Sequence, residues 1–306
     1  MSRRPKITVE LIHKWIEAGY GQGHGENYQP FLQIRRWNPS AVSSQVVGCI
    51  TSSKSRGAFL SRNEWKVAHA LVWCGAEVRM QYPAWSWPHP HPLYGLHPDY
   101  QSKQTWSRGM LAICTDMGID HGLFPGTQIP YIWTLDFVLT FWMENQKPVC
   151  SIVSVKPVFA ERFINPDVLD RSLSKLEAEK RYARELVINY VIAGHELFPE
   201  KLITQLALYR SAAALPEKDC RYYILQRFLD KFSGVAYQHP VSEWVNWMQT
   251  DFHTTYAQAL FVAHHCLWHQ YIDADLTKHI DYKRVLAPGG RKIREKLRKA
   301  LIGGDE

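Results

Sequence analysis

The sequence of 306 residues lacks a long apolar run, closely spaced cysteines and repeated segments, and each absence narrows the class of protein. Its six cysteines are widely separated and include no CxxC pair, so we do not expect the disulfide framework of a small secreted domain. No run of about 18 apolar residues is present, which argues against a membrane span. Residues 7–19 carry several charged side chains and do not form the apolar segment of a signal peptide. We therefore expect a soluble, cytoplasmic protein with reduced thiols.

Positive charges outnumber negative ones. The chain has 36 Lys and Arg against 29 Asp and Glu, a net charge of +7, which favours a polyanionic partner such as nucleic acid. Hydrophobic residues make up 46% of the chain and aromatic residues 13%, which is enough for packed cores and excludes global disorder. Because the chain exceeds an average domain of about 100 to 200 residues, we predict two domains, residues 1–200 and 201–306.

Helical and strand patterns alternate in the first two thirds of the chain, and only helical patterns follow. Thr8 can cap a first helix, and residues 19–25 contain four glycines that predict a loop. The stretch 81–106, rich in Pro, Trp and His, predicts an extended segment followed by a surface loop. The remaining periodicities predict helices at 61–73, 167–185, 222–232, 242–248 and 255–268, and strands at 131–142, 149–155 and 186–192. The order of elements predicts an α/β fold followed by a helical region.

The two strongest strand patterns are separated by a short polar turn and predict a hairpin. If the turn centres on Asn145 and Gln146, Asp136 lies opposite Val155 and beside Lys156. Asp136 is then an ionisable residue within an apolar strand, where an unpaired carboxylate costs several kcal/mol. A cross-strand salt bridge between Asp136 and Lys156 is one explanation for this placement.

Glu64 is a second carboxylate in an apolar context, because it lies on the apolar stripe of the predicted helix 61–73. Its structural explanation is a capping box, in which Glu64 accepts a hydrogen bond from the amide of Ser61. Its functional explanation is metal binding. Two carboxylates and a backbone carbonyl are hard oxygen ligands for Mg²⁺, and a nearby lysine can activate a water for phosphodiester hydrolysis. A helix Glu, a strand Asp and a following strand Lys resemble the plan of PD-(D/E)xK nucleases.

A more specific resemblance is to the TnsA family, the endonuclease subunits of heteromeric transposases. It extends over residues 19–192 in the same order. The matching residues are Gly21, Gln22, Gly23, His24, Gly25, Tyr28, Pro30, Leu32, Leu60, Ser61, Glu64, Trp73, Val78, Arg79, Gln81, Pro83, Gly118, Ile119, His121, Asp136, Phe137, Val155, Lys156, Pro157, Lys175, Leu176, Glu177, Glu179, Arg181 and Tyr182. Residues 205–306 resemble the family more loosely.

This resemblance implies a restriction-endonuclease-like domain, with a mixed sheet flanked by helices, and a smaller helical, winged-helix-like C-terminal domain. It implies a bacterial, DNA-associated enzyme that cleaves the 5′ strand at transposon ends. The partners would be a TnsB-like DDE transposase and a TnsC-like AAA+ ATPase. By the same resemblance Glu64 and Asp136 bind Mg²⁺, or Mn²⁺ in its place, the Val155 carbonyl completes the metal shell, and Lys156 serves the attacking water.

One position departs from the family pattern. Ser154 occupies the place of a Gln in familiar TnsA sequences and of an acid in many related nucleases. Its neutral hydroxyl would hold a metal weakly or through water, and we include Ser154 among the metal ligands on that basis. Glu177 or Glu179 could compensate, although we expect both to form charge pairs on an exposed helix.

Two basic segments and one histidine complete the candidate contacts. Arg3, Arg4 and Lys6 form an arm suited to phosphate contacts, and His24 belongs to the glycine-rich loop. A second basic run suits a partner or a solvated helix face equally, and it comprises Arg291, Lys292, Arg294, Lys296, Arg298 and Lys299. Two further functions fit the sequence: a stand-alone restriction or repair nuclease of the same fold, and a non-catalytic DNA-binding adaptor.

Overall fold

The computed structural model describes residues 7–32, 45–50, 56–155 and 166–303. The helices in this part of the chain are α1 (Val9–Glu17), α2 (Arg62–Trp73), α3 (Met110–Asp116), α4 (Pro166–Glu185), α5 (Glu200–Tyr209), α6 (Cys220–Phe232), α7 (Val241–Phe252), α8 (Tyr256–His269) and α9 (Gly290–Ile302). The strands are β1 (Val46–Cys49), β2 (Arg56–Phe59), β3 (Glu77–Ala84), β4 (Trp133–Trp142), β5 (Pro148–Val155) and β6 (Asn189–Ala193). No helix among the described residues has the length and apolar character needed to cross a membrane.

A mixed four-stranded sheet organises the N-terminal part, in the order β3-β4-β5-β6. The first three strands pair antiparallel, and β6 pairs parallel to β5. A parallel neighbour requires a crossover connection, and α4 lies in the chain between β5 and β6. Strands β1 and β2 form a separate antiparallel pair. The predicted α/β class is confirmed, and so is the flanking of the sheet by helices.

The β4–β5 hairpin is present, but its register differs from the prediction by one residue. Trp142 pairs with Pro148 and Phe137 with Val153, so the same register sets Asp136 opposite Ser154 rather than Val155. The amide of Met143 donates to the carbonyl of Lys147 at 3.1 Å, which leaves a three-residue loop. Its last residue, Gln146, has a left-handed φ of +60°. The prediction centred the turn on Asn145 and Gln146, whereas the observed loop centres on Asn145, and this difference moves the register by one residue.

The sheet separates two apolar clusters. On one face Phe137, Leu139 and Phe141 of β4 lie in the same buried cluster as residues of α2 and of the helices after residue 200. On the other face Val138 and Ile152 pack with α3 and α4. The indole nitrogen of Trp73, at the end of α2, also donates to the carbonyl of Trp268 in α8 at 2.6 Å.

Residues 200–303 form helices and turns without a strand, so the expected helical character of this region is observed and a β-wing is not among these residues. The first apolar cluster runs without interruption from the sheet into these helices. The proposed division at residue 200 coincides with the first residue of α5 and stays a prediction.

The stretch 81–106 was expected to be an extended segment followed by a surface loop. Its first residues do lie in β3, which ends at Ala84, but part of the remainder is buried and not at the surface. Trp85, His89 and His91 are buried. The Nε2 atom of His89 lies 2.9 Å from the hydroxyl of Tyr182 in α4. Leu93 of this segment belongs to the second apolar cluster and Trp85 to a third, smaller one, so these side chains bury area that a polar loop would leave in water.

Candidate active site

Glu64 lies in the first turn of α2, buried to 7% exposure. The Ser61 hydroxyl accepts the amide of Glu64 at 3.1 Å, as a helix N-cap does. The Glu64 carboxylate reaches back and accepts the amide of Leu60 at 2.9 Å and the hydroxyl of Ser61 at 3.2 Å. The predicted cap is therefore present, but the amide it satisfies is that of Leu60. The positive end of the helix dipole also favours a carboxylate at this place.

Gln81 joins Glu64 to the sheet. The Nε2 atom of Gln81 lies 3.4 Å from Oε2 of Glu64, and its Oε1 accepts the hydroxyl of Thr134 at 2.9 Å. Gln81 lies on β3 between Met80 and Tyr82, which pair with Phe137 and Leu135 of β4. The same register sets Gln81 opposite Asp136. Its φ of +49° is left-handed, which costs a non-glycine residue about 1 kcal/mol or more. The fold therefore maintains a strained residue between the two candidate carboxylates.

Asp136 is half-buried on β4, between the fully buried Leu135 and Phe137. Its Oδ2 atom accepts the amide of Val155 at 2.8 Å. This hydrogen bond connects the carboxylate to the end of β5, where the Val155 carbonyl is the predicted backbone ligand. Lys156 follows directly in the chain, but it lies outside the described residues.

Ser154 is fully buried, and its hydroxyl donates to Oε2 of Glu179 at 2.5 Å. The same oxygen accepts the hydroxyl of Tyr190 from β6 at 2.9 Å. The expectation that Glu179 lies on an exposed helix face was wrong, because α4 places this carboxylate under the sheet at 1% exposure. Glu177 does lie exposed and pairs with Lys180 at 4.0 Å, as expected.

Lys175 is the cation that the structure places beside this network. Its Nζ lies 3.5 Å from Oε1 of Glu179 and 5.9 Å from the centre of the Trp133 ring. Burial lowers the pKa of Lys175, but the nearby carboxylates of Glu179 and Asp136 outweigh burial and raise the pKa above its usual value. Sequence reasoning assigned no role to Lys175. Its only signal there was its position in the stretch that resembles TnsA.

The donor set suits a hard divalent cation. Glu64 and Asp136 supply carboxylate oxygens and Val155 a carbonyl, which are the ligand types that Mg²⁺ prefers. A carboxylate has about four acceptor positions, so the hydrogen bonds above do not preclude a bond to a metal. Among the described residues no group of three or more His, Cys, Asp or Glu is placed to hold a metal ion. The hydroxyl of Ser154 is directed to Glu179, and its role as a ligand stays a prediction.

His24 lies apart from these carboxylates, at the mouth of a cleft. Its Nε2 is 3.3 Å from the carbonyl of Tyr94, and its Nδ1 is 3.9 Å from a Glu77 oxygen. Burial and the positive charge of Arg79 lower the pKa of His24. The basic arm of Arg3, Arg4 and Lys6 lies outside the described residues.

The second basic run lies on α9, and three of its residues bind their own fold. Arg291 donates to the carbonyls of Gln270 and Tyr271. Arg294 lies over the ring of Trp73, and Arg298 donates to the carbonyl of Cys74. The exposed members are Arg291, Lys292, Lys296 and Lys299, and Lys299 pairs with Glu295. Any partner surface on α9 would therefore be smaller than the six-residue run predicted.

Comparison with known proteins adds no identification: no protein-family model matches the chain, and no curated protein is significantly similar to it.

Proposed function

We propose that this protein is a Mg²⁺-dependent DNA endonuclease of the restriction-endonuclease-like class, similar to TnsA. It hydrolyses the 5′ strand at transposon ends, together with a TnsB-like transposase and a TnsC-like ATPase. The observation that carries the proposal is the link through Gln81. This residue contacts Glu64 from α2 and lies opposite Asp136, so two carboxylates distant in sequence converge on one part of the sheet.

Several features of the chain support this chemistry. Asp136 and Glu64 are both oriented by backbone amides, at 2.8 and 2.9 Å respectively, so their carboxylates are held before substrate arrives. A bound Mg²⁺ would polarise the phosphate and lower the pKa of an attacking water. Lys175 supplies a permanent positive charge beside Asp136, which favours a phosphate approaching that carboxylate. The order α2, β3, β4, β5, α4, β6 around a mixed sheet is compatible with the proposed class.

Strand-specific cleavage tests the proposal. The full chain is mixed with labelled transposon-end DNA, Mg²⁺ and the partner proteins, and Asp136→Asn is compared with the wild type. We expect the variant to lose 5′-strand cleavage by about 100-fold or more, because Asn does not carry the charge that binds the metal, while 3′-strand joining continues. Asp170→Asn, a change at an exposed position of α4, is the matched control and should cleave normally.

The outcomes separate the alternatives. Undiminished 5′ cleavage by Asp136→Asn would refute the site. Cleavage without any partner protein would indicate a stand-alone nuclease. Binding of DNA without cleavage under any condition would favour the adaptor function, for which the neutral Ser154 next to Asp136 is the motivating observation.

A further inference from the structure

A cleft of about 460 Å³ lies on the side of β3 where the glycine-rich loop crosses the proline-rich segment. Its wall contains the rings of Tyr82, Trp85, Trp87, Tyr94 and Trp106. Trp85 and Trp87 are stacked, with ring centres 5.1 Å apart. A volume of this size lies within the range of about 300 to 1,000 Å³ that is usual for small-ligand sites.

The glycine-rich loop closes one wall of the cleft, and its glycines are required there. Gly21 has a φ of +75°, and a Cβ atom at this position would lie 2.5 Å from Pro83. Gly23 has a φ of +88°, and its Cβ would lie 2.7 Å from the carbonyl oxygen of Asn27. Only glycine allows the backbone to lie this close to β3. The loop therefore forms a shaped wall rather than a loose connector.

The cleft has donors that the protein leaves without partners. The guanidinium of Arg79, exposed to only 2%, donates from Nη1 to the carbonyl of Pro92 at 2.9 Å and lies over the Tyr82 ring. Its Nε and the Nε1 of Trp106 have no hydrogen-bond partner among the described residues. Unsatisfied buried donors cost about 1 to 3 kcal/mol each, and both belong to residues that line the cleft.

Charge and shape restrict the ligand. The lining residues include the cation Arg79, and the nearest carboxylate, that of Glu77, lies beside His24, so an anion is favoured on the Arg79 side of the cleft. Planar aromatic walls favour a planar ring that can stack between them. A nucleotide combines a stacking base with an anionic phosphate, and proteins that hold single-stranded DNA use aromatic platforms beside basic groups.

We propose that this cleft holds an unpaired nucleotide of the DNA substrate, with the base against Trp87 and Trp106 and the phosphate toward Arg79. This inference rests on the proposed function, which supplies DNA as the source of the nucleotide. Strand β3 connects the two sites, because Gln81 contacts Glu64 while Arg79 and Tyr82 line the cleft. Residues 79–82 of β3 therefore contribute to both places.

Binding of a single-stranded octanucleotide tests the proposal without catalysis. The probe carries 2-aminopurine at its centre, and the full chain is titrated in EDTA so that no cleavage occurs. We expect the wild type to bind and to quench the probe by stacking. Trp87→Ala should weaken binding about tenfold and abolish the quenching. Trp142→Ala is the matched control, since Trp142 is 46% exposed and Trp87 41%, and Trp142 lies outside the cleft.

Each outcome supports or overturns the proposal. Equal binding by Trp87→Ala and Trp142→Ala, or no binding by the wild type, overturns it. Free dAMP and an unlabelled octanucleotide serve as competitors. If both displace the probe at the same concentration, the site recognises a free nucleotide rather than a strand, and the proposal is overturned.

Binding and cleavage measured together separate this inference from the proposed function. If binding depends on Trp87 but the wild type never cleaves DNA, the nuclease proposal fails and the nucleotide site remains. If the wild type cleaves DNA and Trp87→Ala binds normally, only the nucleotide site fails.

Discussion

At the residue scale, the candidate site depends on side chains that satisfy each other across separate elements. Glu64 caps its own helix and is also contacted by Gln81 from β3. Asp136 accepts an amide from the neighbouring strand, and Glu179 accepts hydroxyls from Ser154 and Tyr190. Buried carboxylates with this many partners are expensive to disturb, because removal of one partner leaves the others unsatisfied.

Two substitutions of Gln81 separate the effect of its backbone strain from the effect of its contact with Glu64. Gln81→Ala and Gln81→Gly both remove the amide that contacts Glu64, but only glycine adopts φ +49° without strain. We expect Gln81→Gly to be more stable than Gln81→Ala by about 1 kcal/mol in urea unfolding. Both should reduce cleavage by a similar factor, because the lost contact is the same. Equal stabilities would contradict the assignment of strain, and normal cleavage would contradict the positioning role.

At the element scale, α9 stabilises the fold by closing the edge of the sheet and the end of α2. The hydroxyl of Ser151 on β5 donates to the carbonyl of Leu301 at 2.5 Å. The side-chain Nδ2 of Asn189 on β6 donates to the same carbonyl at 2.8 Å. Arg298 lies over the Phe141 ring at 5.1 Å. The helix therefore attaches the C-terminal region to the sheet that bears Asp136.

Substitutions of Arg298 and Lys292, both on α9, should differ in their effect on the free energy of unfolding. Arg298→Ala removes hydrogen bonds to the carbonyls of Cys74 and Trp142 and uncovers an aromatic ring, so we expect a loss of about 1 to 2 kcal/mol of unfolding free energy. Lys292→Ala, on the exposed side, should change it by less than about 0.5 kcal/mol. Chemical denaturation of both variants measures the difference, and similar small values would indicate that α9 is only loosely attached.

At the scale of the whole molecule, buried histidines link stability to pH. Burial is the largest influence on five of them and lowers the pKa of each to about 4: His69, His89, His91, His264 and His265. In the unfolded chain a histidine has a pKa of about 6.5. Between these values the unfolded chain binds protons that the folded chain does not, so stability rises with pH in this window.

We therefore expect the protein to lose stability as the pH falls from about 6.5 to 5, by up to about 1.4 kcal/mol per pH unit for each histidine that is protonated only in the unfolded chain. Urea unfolding at several pH values measures this slope. His69→Gln should reduce the slope by up to one proton, because it removes one of the titrating groups. An unfolding free energy that stays constant from pH 6.5 to 5 would contradict the buried, neutral histidines.

Much of the secondary structure could be predicted from the sequence. The caps at Thr8 and Ser61, the helices α2 and α4 and the β4–β5 hairpin all agree with local patterns. These features depend on neighbours within a few residues, so periodicity and turn residues are sufficient to predict them. The same local signals singled out Glu64 and Asp136 as carboxylates in apolar surroundings.

The tertiary structure decided which side chains lie close together in space. The register that sets Ser154 opposite Asp136 depends on where the hairpin loop is centred, which composition does not reveal. The burial of Glu179 and the closeness of Lys175 to Asp136 depend on how α4 packs beneath the sheet. The aromatic cleft depends on a loop and a strand about 60 residues apart. The sequence determined the local elements and the candidate carboxylates, and long-range packing of two apolar clusters determined their partners.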